Sequence, residues 1–346
     1  MALGINKSKE LIAHYMNANL PVFVWGKPGI GKTKMINQIA EANDMNTKVF
    51  TANIYENVDL RGLPAIDRDA KGNAVRAKWL TPAMLPDDKR DGKRGILFLD
   101  DVLTAPPSMQ APLFGLALER RIGDYRLGDG WYVIAASNYT TDRAGASRIN
   151  LALANRFAHV EVESNKDDFE AWALDNDVPT EIIAFIRFRP QYLHMTDGIG
   201  QTGAFPSPRQ WERFGYVFKN LNTSETALLM NACQGMLGLQ AATEFTAFTA
   251  IINKLPNIND ILKSPLTVPV PDDMSARYAV ATALAKNMKD VTASTASKLT
   301  NAITYMERIS PEFEVLFITD AKRTNNKITT MRPFVDWCAK NSHLMF

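Results

Sequence analysis

The stretch Gly26-Lys27-Pro28-Gly29-Ile30-Gly31-Lys32-Thr33 decides how the rest of the chain is read. It has the spacing GxxxxGK[ST]. Its glycines let the backbone turn tightly enough for N–H groups to face phosphate oxygens, and a helix that follows adds its positive dipole end. The flanks agree with that reading: the β-rich run PVFVW (Pro21 to Trp25) comes before it and a helical pattern, MINQIAEAN, comes after. Strand, loop and helix in this order put Lys32 at the β- and γ-phosphates of a bound nucleotide and the Thr33 hydroxyl on Mg²⁺. The whole octet, Lys27, Pro28 and Ile30 included, is the candidate phosphate cradle.

Moving outward, four more β-rich runs follow: KVFTANI (Lys48 to Ile54), GILFLD (Gly95 to Asp100), WYVIAASN (Trp131 to Asn138) and FAHVEVE (Phe157 to Glu163). The connections between them are too long for simple hairpins, so the pattern is α/β, with a parallel sheet carrying helices on both faces. From about Asn165 onward β-rich runs nearly vanish. Helical periodicity takes over in FEAWAL, EIIAFIRF, RQWERFGYVF and ETALLMNACQGMLGLQ. We expect an α/β nucleotide-binding domain over residues 1–164 and an all-helical lid over 165–256. A mostly helical C-terminal extension follows over 257–346, introduced by the proline-containing connector LPNINDILKSPLTVPVPDD. Pro112 interrupts the helical run Met109 to Leu118 and should kink or restart it, because proline lacks a backbone donor.

A phosphate loop needs a partner carboxylate at the end of a nearby strand, and Asp100-Asp101 supplies it. An acid closing a buried apolar strand is costly unless it meets a cation. Asp100 is therefore the candidate Mg²⁺ ligand, acting through water, and Asp101 the group that polarises an attacking water. Asn138, closing the next strand, adds an amide able to orient that water or touch the γ-phosphate.

Composition narrows the class. The 346 residues are 46% hydrophobic and 22% charged, which suits folded domains with proper cores rather than a disordered chain. With 39 Lys+Arg against 37 Asp+Glu, the net charge of +2 argues against a protein whose main task is coating nucleic acid. Cys233 and Cys338 are too far apart in the chain for a metal motif and too few for a disulfide scaffold, so two thiols in a reducing compartment are expected. The amino-terminal MALGINKSKELIAHYM reads as an amphipathic helix rather than a signal peptide. No apolar run approaches the ~20 residues of a membrane span. The expected location is the cytoplasm.

The order of phosphate loop, LFLDD, Asn-ended strand, LALANRF (Leu151 to Phe157) and FPSPRQWERF (Phe205 to Phe214) resembles the AAA+ ATPases, and among them the MoxR-like group. VDLRGLP (Val58 to Pro64) and TAPPSMQAPLFGLALERRIGDYRLGDGW (Thr104 to Trp131) extend the likeness, which is dense from about Pro21 to Phe214 and thinner afterwards. The resemblance implies that Gly26, Gly29, Gly31, Lys32 and Thr33 match Walker A, that Asp100 and Asp101 match the Walker B acid pair, and that Asn138 matches sensor 1. It also implies that Arg209 is sensor 2, reaching from the lid to the γ-phosphate. Arg156 matches the arginine finger that completes a neighbouring subunit's site, with Arg148 and Arg143 as rivals. Two hairpin-like insertions, around Lys71-Gly72-Asn73 and Gly123-Asp124, fit the pattern of elements that face a pore or substrate in ring-forming relatives. Trp79 and Tyr125 within them serve equally well as packing residues.

The same resemblance implies ATP and Mg²⁺ as ligands, self-assembly into a ring, with a hexamer expected, and a protein substrate, a protein bearing a von Willebrand factor A domain being the first to seek. Nucleic acid is not indicated and no membrane insertion is expected. One departure bears on rate: the family usually has Glu where Asp101 stands, and a carboxylate one methylene shorter would slow hydrolysis. Two other readings stay open, a nucleic-acid motor or loader and an ATP-gated assembly scaffold with weak hydrolysis.

Overall fold

The computed structural model describes residues 1–142, 145–197, 199–200, 202–252 and 255–342. The chain divides into two compact units, Met1–Asn165 and Lys166–Phe346.

In the first unit the elements run α1 (Ile5–Asn17), β1 (Val22–Gly26), α2 (Lys32–Ala42), β2 (Asn46–Thr51), α3 (Asn57–Arg61), β3 (Leu63–Arg68), β4 (Ala74–Leu80) and β5 (Gly95–Asp100). They continue with α4 (Pro107–Glu119), β6 (Arg121–Ile122), β7 (Tyr125–Arg126), β8 (Trp131–Ser137), α5 (Leu151–Ala154) and β9 (Ala158–Val162). Five strands form one sheet in the order β2-β5-β8-β1-β9. Every pairing in it is parallel, with Val22 opposite Ile134 on one side and Ala158 on the other. The β-rich run starting at Lys48 is shorter as a strand than its sequence predicts, because a 3-10 turn takes over at Ala52–Ile54.

Strand alternation sorts side chains onto two faces. On β8, Trp131, Val133 and Ala135 join Phe23, Leu97 and Leu99 in a core closed by Leu113, Leu116 and Ala117 of α4. Tyr132, Ile134 and Ala136 join Val22, Val24, Ile96 and Phe98 under Ile12 of α1 and Met35, Ile36 and Ile39 of α2. Burial on both faces explains the nearly unbroken apolar runs of β1, β5 and β8. Edge strand β9 alternates instead, with Val160 and Val162 buried and His159 and Glu161 exposed.

Strands β3 and β4 form an antiparallel hairpin separate from the sheet, as do β6 and β7. The helix does not restart at Pro112: α4 runs through it from Pro107 to Glu119. The physical reason lies one turn back. The Ser108 carbonyl, deprived of the amide that residue 112 would have donated, accepts instead from Asn57 Nδ2 at 3.2 Å.

The second unit is helical: α6 (Lys166–Asp175), α7 (Thr180–Phe188), α8 (Pro208–Phe218), α9 (Thr226–Ile252), α10 (Ile258–Lys263), α11 (Met274–Lys286), α12 (Ser297–Glu307), α13 (Pro311–Thr324) and α14 (Arg332–Lys340). One core gathers Phe185, Trp211, Phe214 and Phe245 from α7 to α9. A second gathers Leu284, Tyr305, Phe317 and Trp337 from α11 to α14. The helical run through Gly238 is not continuous, for that residue sits at φ 79°, ψ 164° and breaks α9. A Cβ there would lie 2.7 Å from the Ala204 carbonyl oxygen, so the break accommodates a close backbone approach.

Candidate functional site

In chain order the main sheet runs from β1 across to β2 at the far edge and back through β5 and β8, with β9 on the other side of β1. Strand order thus reverses at β1, and in open α/β sheets the crevice beyond the carboxyl ends of the strands at such a point is where ligands bind. The octet Gly26 to Thr33 leaves β1 at that end. Gly31, at φ 104°, takes the position before the first turn of α2, a backbone conformation that L side chains rarely adopt. Gly26 has no room for a side chain, since a Cβ would lie 2.4 Å from Ile30 Cδ1 and 2.9 Å from the Val162 carbonyl oxygen.

Lys32 opens α2 and is 7% exposed. Its ammonium donates to the Gly26 carbonyl at 2.6 Å and to Asn138 Oδ1 at 2.7 Å. The Asn138 amide, itself buried, donates from Nδ2 to Asp101 Oδ1 at 3.2 Å. Because Lys32 is only a donor and a carboxylate only an acceptor, this is the one orientation of the amide that satisfies both neighbours. Asp101 N donates to Asp100 Oδ1 at 3.0 Å, and Thr33 Oγ1 donates to Asp100 Oδ2 at 2.8 Å. A hydrogen-bonded circuit therefore runs from Lys32 through Asn138, Asp101 and Asp100 to Thr33, linking the ends of β1, β5 and β8. Asp101 is left-handed, at φ 55° and ψ 35°, and its carbonyl accepts from Thr104 Oγ1 at 2.8 Å.

The site's oxygen donors suit Mg²⁺. Thr33 and Asp100 present a hydroxyl and a carboxylate side by side, and no group of three or more His, Cys, Asp or Glu side chains able to hold a metal occurs among the described residues. A hard cation held by so few protein oxygens takes its other ligands from water and substrate phosphate, as Mg²⁺ usually does.

The arginines are placed differently. Arg156 is exposed at the turn between α5 and β9, and Arg148 is exposed upstream of α5. Arg143 lies outside the described residues. Arg209 belongs to the second unit and is exposed in the first turn of α8, behind the Ser207 cap whose Oγ accepts from Gln210 N. In the hairpins, Tyr125 packs and donates from its hydroxyl to the Pro86 carbonyl at 2.8 Å, whereas Trp79 is 44% exposed. Trp79 and Tyr125 line a cleft of about 680 Å³ together with Arg61, Arg121 and α4.

Sequence reasoning missed a cluster beside the loop. Trp25, immediately before Gly26, stacks on Tyr139, immediately after Asn138, with centroids 5.8 Å apart and planes at 15°. Its indole donates to His159 Nδ1 at 2.8 Å. Burial, with Glu161, Asp142 and Glu163 nearby, pushes the Tyr139 hydroxyl up to about 12. A lone histidine in an edge strand gives no pattern to find; only the parallel register of β1 and β9 brings it to Trp25.

Residues 21–157 match the AAA domain (dynein-related subfamily), a span that holds the whole circuit. Over that span the chain is similar to the AAA domains of AAA+ ATPases. Midasin of Giardia intestinalis is 26% identical over 185 residues, or 51% of this chain, and the match takes in only 4% of midasin's length. Among solved structures, a RuvB mutant of Thermotoga maritima is similar at 16% identity and TM-score 0.39, covering 86% of this chain and 85% of that one. NtrX of Brucella abortus is similar at 15% identity and TM-score 0.38, covering 94% and 69%. No helix among the described residues is long and apolar enough to cross a membrane.

Proposed function

We propose that this AAA+ chain binds ATP with Mg²⁺ and hydrolyses it, and that it works as a MoxR-type ring, with a hexamer expected, to remodel or assemble a protein partner. The observation that carries the catalytic part is the circuit joining Lys32, Asn138, Asp101, Asp100 and Thr33. Backbone N–H groups of Gly26 to Thr33 would cradle the phosphates, Lys32 would exchange its contacts with Gly26 and Asn138 for phosphate oxygens, and Thr33 and Asp100 would hold Mg²⁺. The metal supplies neutralisation of phosphate charge. Asp101 would polarise the attacking water, with Asn138 holding that carboxylate and water in register. Arg156, exposed, would serve the neighbouring subunit, and Arg209 would act as sensor 2.

The partner reading rests on the resemblance and on the cleft between the hairpins, where an exposed Trp79 is flanked by Arg61 and Arg121. A protein with a von Willebrand factor A domain is the first partner to seek.

One observation favours the slow, scaffold-like version of this function. Asp101 is short and already engaged by Asn138, so its reach toward a water is limited.

Phosphate release and binding of a fluorescent ADP analogue test the proposal together. Lys32→Ala is expected to lower turnover by about a hundredfold or more and to weaken binding, and EDTA to abolish turnover in the parent chain. Turnover that persisted in Lys32→Ala would overturn it. Mass measured in solution with and without ATP tests the ring.

A further inference from the structure

We propose that His159 is a positioning residue, holding the turn that presents Arg156 at a fixed place relative to the phosphate loop of its own subunit. The proposal rests on reading Arg156 as the residue that serves a neighbouring site. The turn Ala154–Phe157 joins α5 to β9, with Arg156 exposed at its tip. Its anchor is the Ala154 carbonyl, which accepts from Phe157 N at 3.1 Å and from His159 Nε2 at 2.8 Å. Trp25 fixes the other side of the imidazole. An indole N–H can only donate, so Nδ1 must accept at 2.8 Å, and Nε2 must carry the proton that goes to Ala154. The ring is thereby held in one tautomer, bridging two elements through two hydrogen bonds.

A second contact runs in parallel. Phe157, next to Arg156, meets Phe23 edge-on with centroids 5.6 Å apart, and Phe23 lies two residues before Trp25 on β1. The same face of β1 thus grips the turn at both ends, through Phe23 with Phe157 and through Trp25 with His159. Trp25 in turn abuts Gly26 and stacks on Tyr139, which abuts Asn138. A shift of the phosphate loop or of Asn138 would reach Arg156 through two aromatic rings, one imidazole and a carbonyl, all inside one compact unit. Exposure of His159 also bears on the matter. An exposed strand position tolerates many residues for packing alone, so the paired hydrogen bonds are what distinguish histidine there.

The test measures ATP turnover and the affinity for N-methylanthraniloyl-ADP in the full chain. His159→Phe keeps an aromatic ring and loses both hydrogen bonds. It is expected to lower kcat about tenfold while leaving ADP-analogue affinity within about twofold. His159→Gln, whose amide can accept from Trp25 and donate to Ala154, should recover most of the turnover. Trp25→Phe should resemble His159→Phe, and the double variant should be no worse than either alone, as for two partners in one interaction. Wild-type kcat in His159→Phe, with Arg156→Ala inactive, would overturn the positioning role and leave the arginine reading intact. Full turnover in Arg156→Ala would overturn that reading and the proposal with it. Equal losses in the Gln and Phe variants, accompanied by a fall in melting temperature, would mark His159 as structural only and also overturn the proposal.

Discussion

Asp101 shows how much one methylene decides. It stands where the resembling family has Glu, and its backbone is left-handed at φ 55°. Asp and Asn enter that conformation more readily than longer side chains, because a short polar group can bond locally. The position is therefore shaped for Asp by its backbone even though catalysis would gain from more reach. Asp101→Glu is expected to raise turnover, since the longer side chain would bring the carboxylate toward the water that residue 101 is proposed to polarise. It should also lower stability by about 1 kcal/mol through the added backbone strain. Phosphate release and urea unfolding check the two halves separately. Unchanged turnover would mean that residue 101 is not the water-polarising group. The meeting of Lys32, Thr33, Asp100, Asp101 and Asn138 in one place was legible from sequence, because each motif states both a residue type and its place at the end of a strand. His159 was not, because its role depends on the register of β1 against β9, which nothing local encodes.

Helix α4 makes the corresponding point for an element. Proline in a helix interior usually costs about 3 kcal/mol relative to alanine, by removing a donor and crowding the preceding turn. Local rules therefore predict a break at Pro112. The helix continues because Asn57, from α3, donates to the freed Ser108 carbonyl. That rescue comes from more than fifty positions away in the chain, beyond the reach of any helical window. Pro112→Ala is expected to stabilise the protein by about 1–2 kcal/mol, less than an unassisted proline would imply, because Asn57 already satisfies the carbonyl. A shift of the urea midpoint with unchanged slope would verify it. The break in α9 is the converse case. Periodicity carries an apolar pattern smoothly through Gly238, while the close approach of Ala204 requires a backbone that only glycine adopts freely. The three inner strands were readable, since burial on two faces writes long apolar runs into β1, β5 and β8.

For the whole molecule, the question is whether residues 257–346 are an appendage or part of what holds residues 166–256 together. Arg187 of α7, with a side chain 3% exposed, is the deciding residue. Its guanidinium donates to Glu170 of α6 at 2.8 Å, to Thr282 of α11 at 2.7 Å and to Asp320 of α13 at 2.9 Å. Two of those three partners lie beyond residue 257, and both Arg187 and Asp320 are buried. A buried charge deprived of its partners typically costs about 3–5 kcal/mol, a large share of the ~5–15 kcal/mol by which domains are stable. A chain ending after Pro256 would leave Arg187 with Glu170 alone and uncover the face of α7 that packs on α11. Residues 166–256 are therefore expected to lose their fold in that shortened chain, seen as rapid trypsin cleavage within α6 to α9 and a loss of helical circular dichroism beyond that of the deleted residues. In the full chain, Arg187→Ala should lower the unfolding free energy of the second unit by about 3–5 kcal/mol. Protease resistance of 166–256 in the shortened chain would show the two cores to be independent. Sensitivity there, together with the Arg187→Ala loss, would make the C-terminal helices part of the unit that carries Arg209.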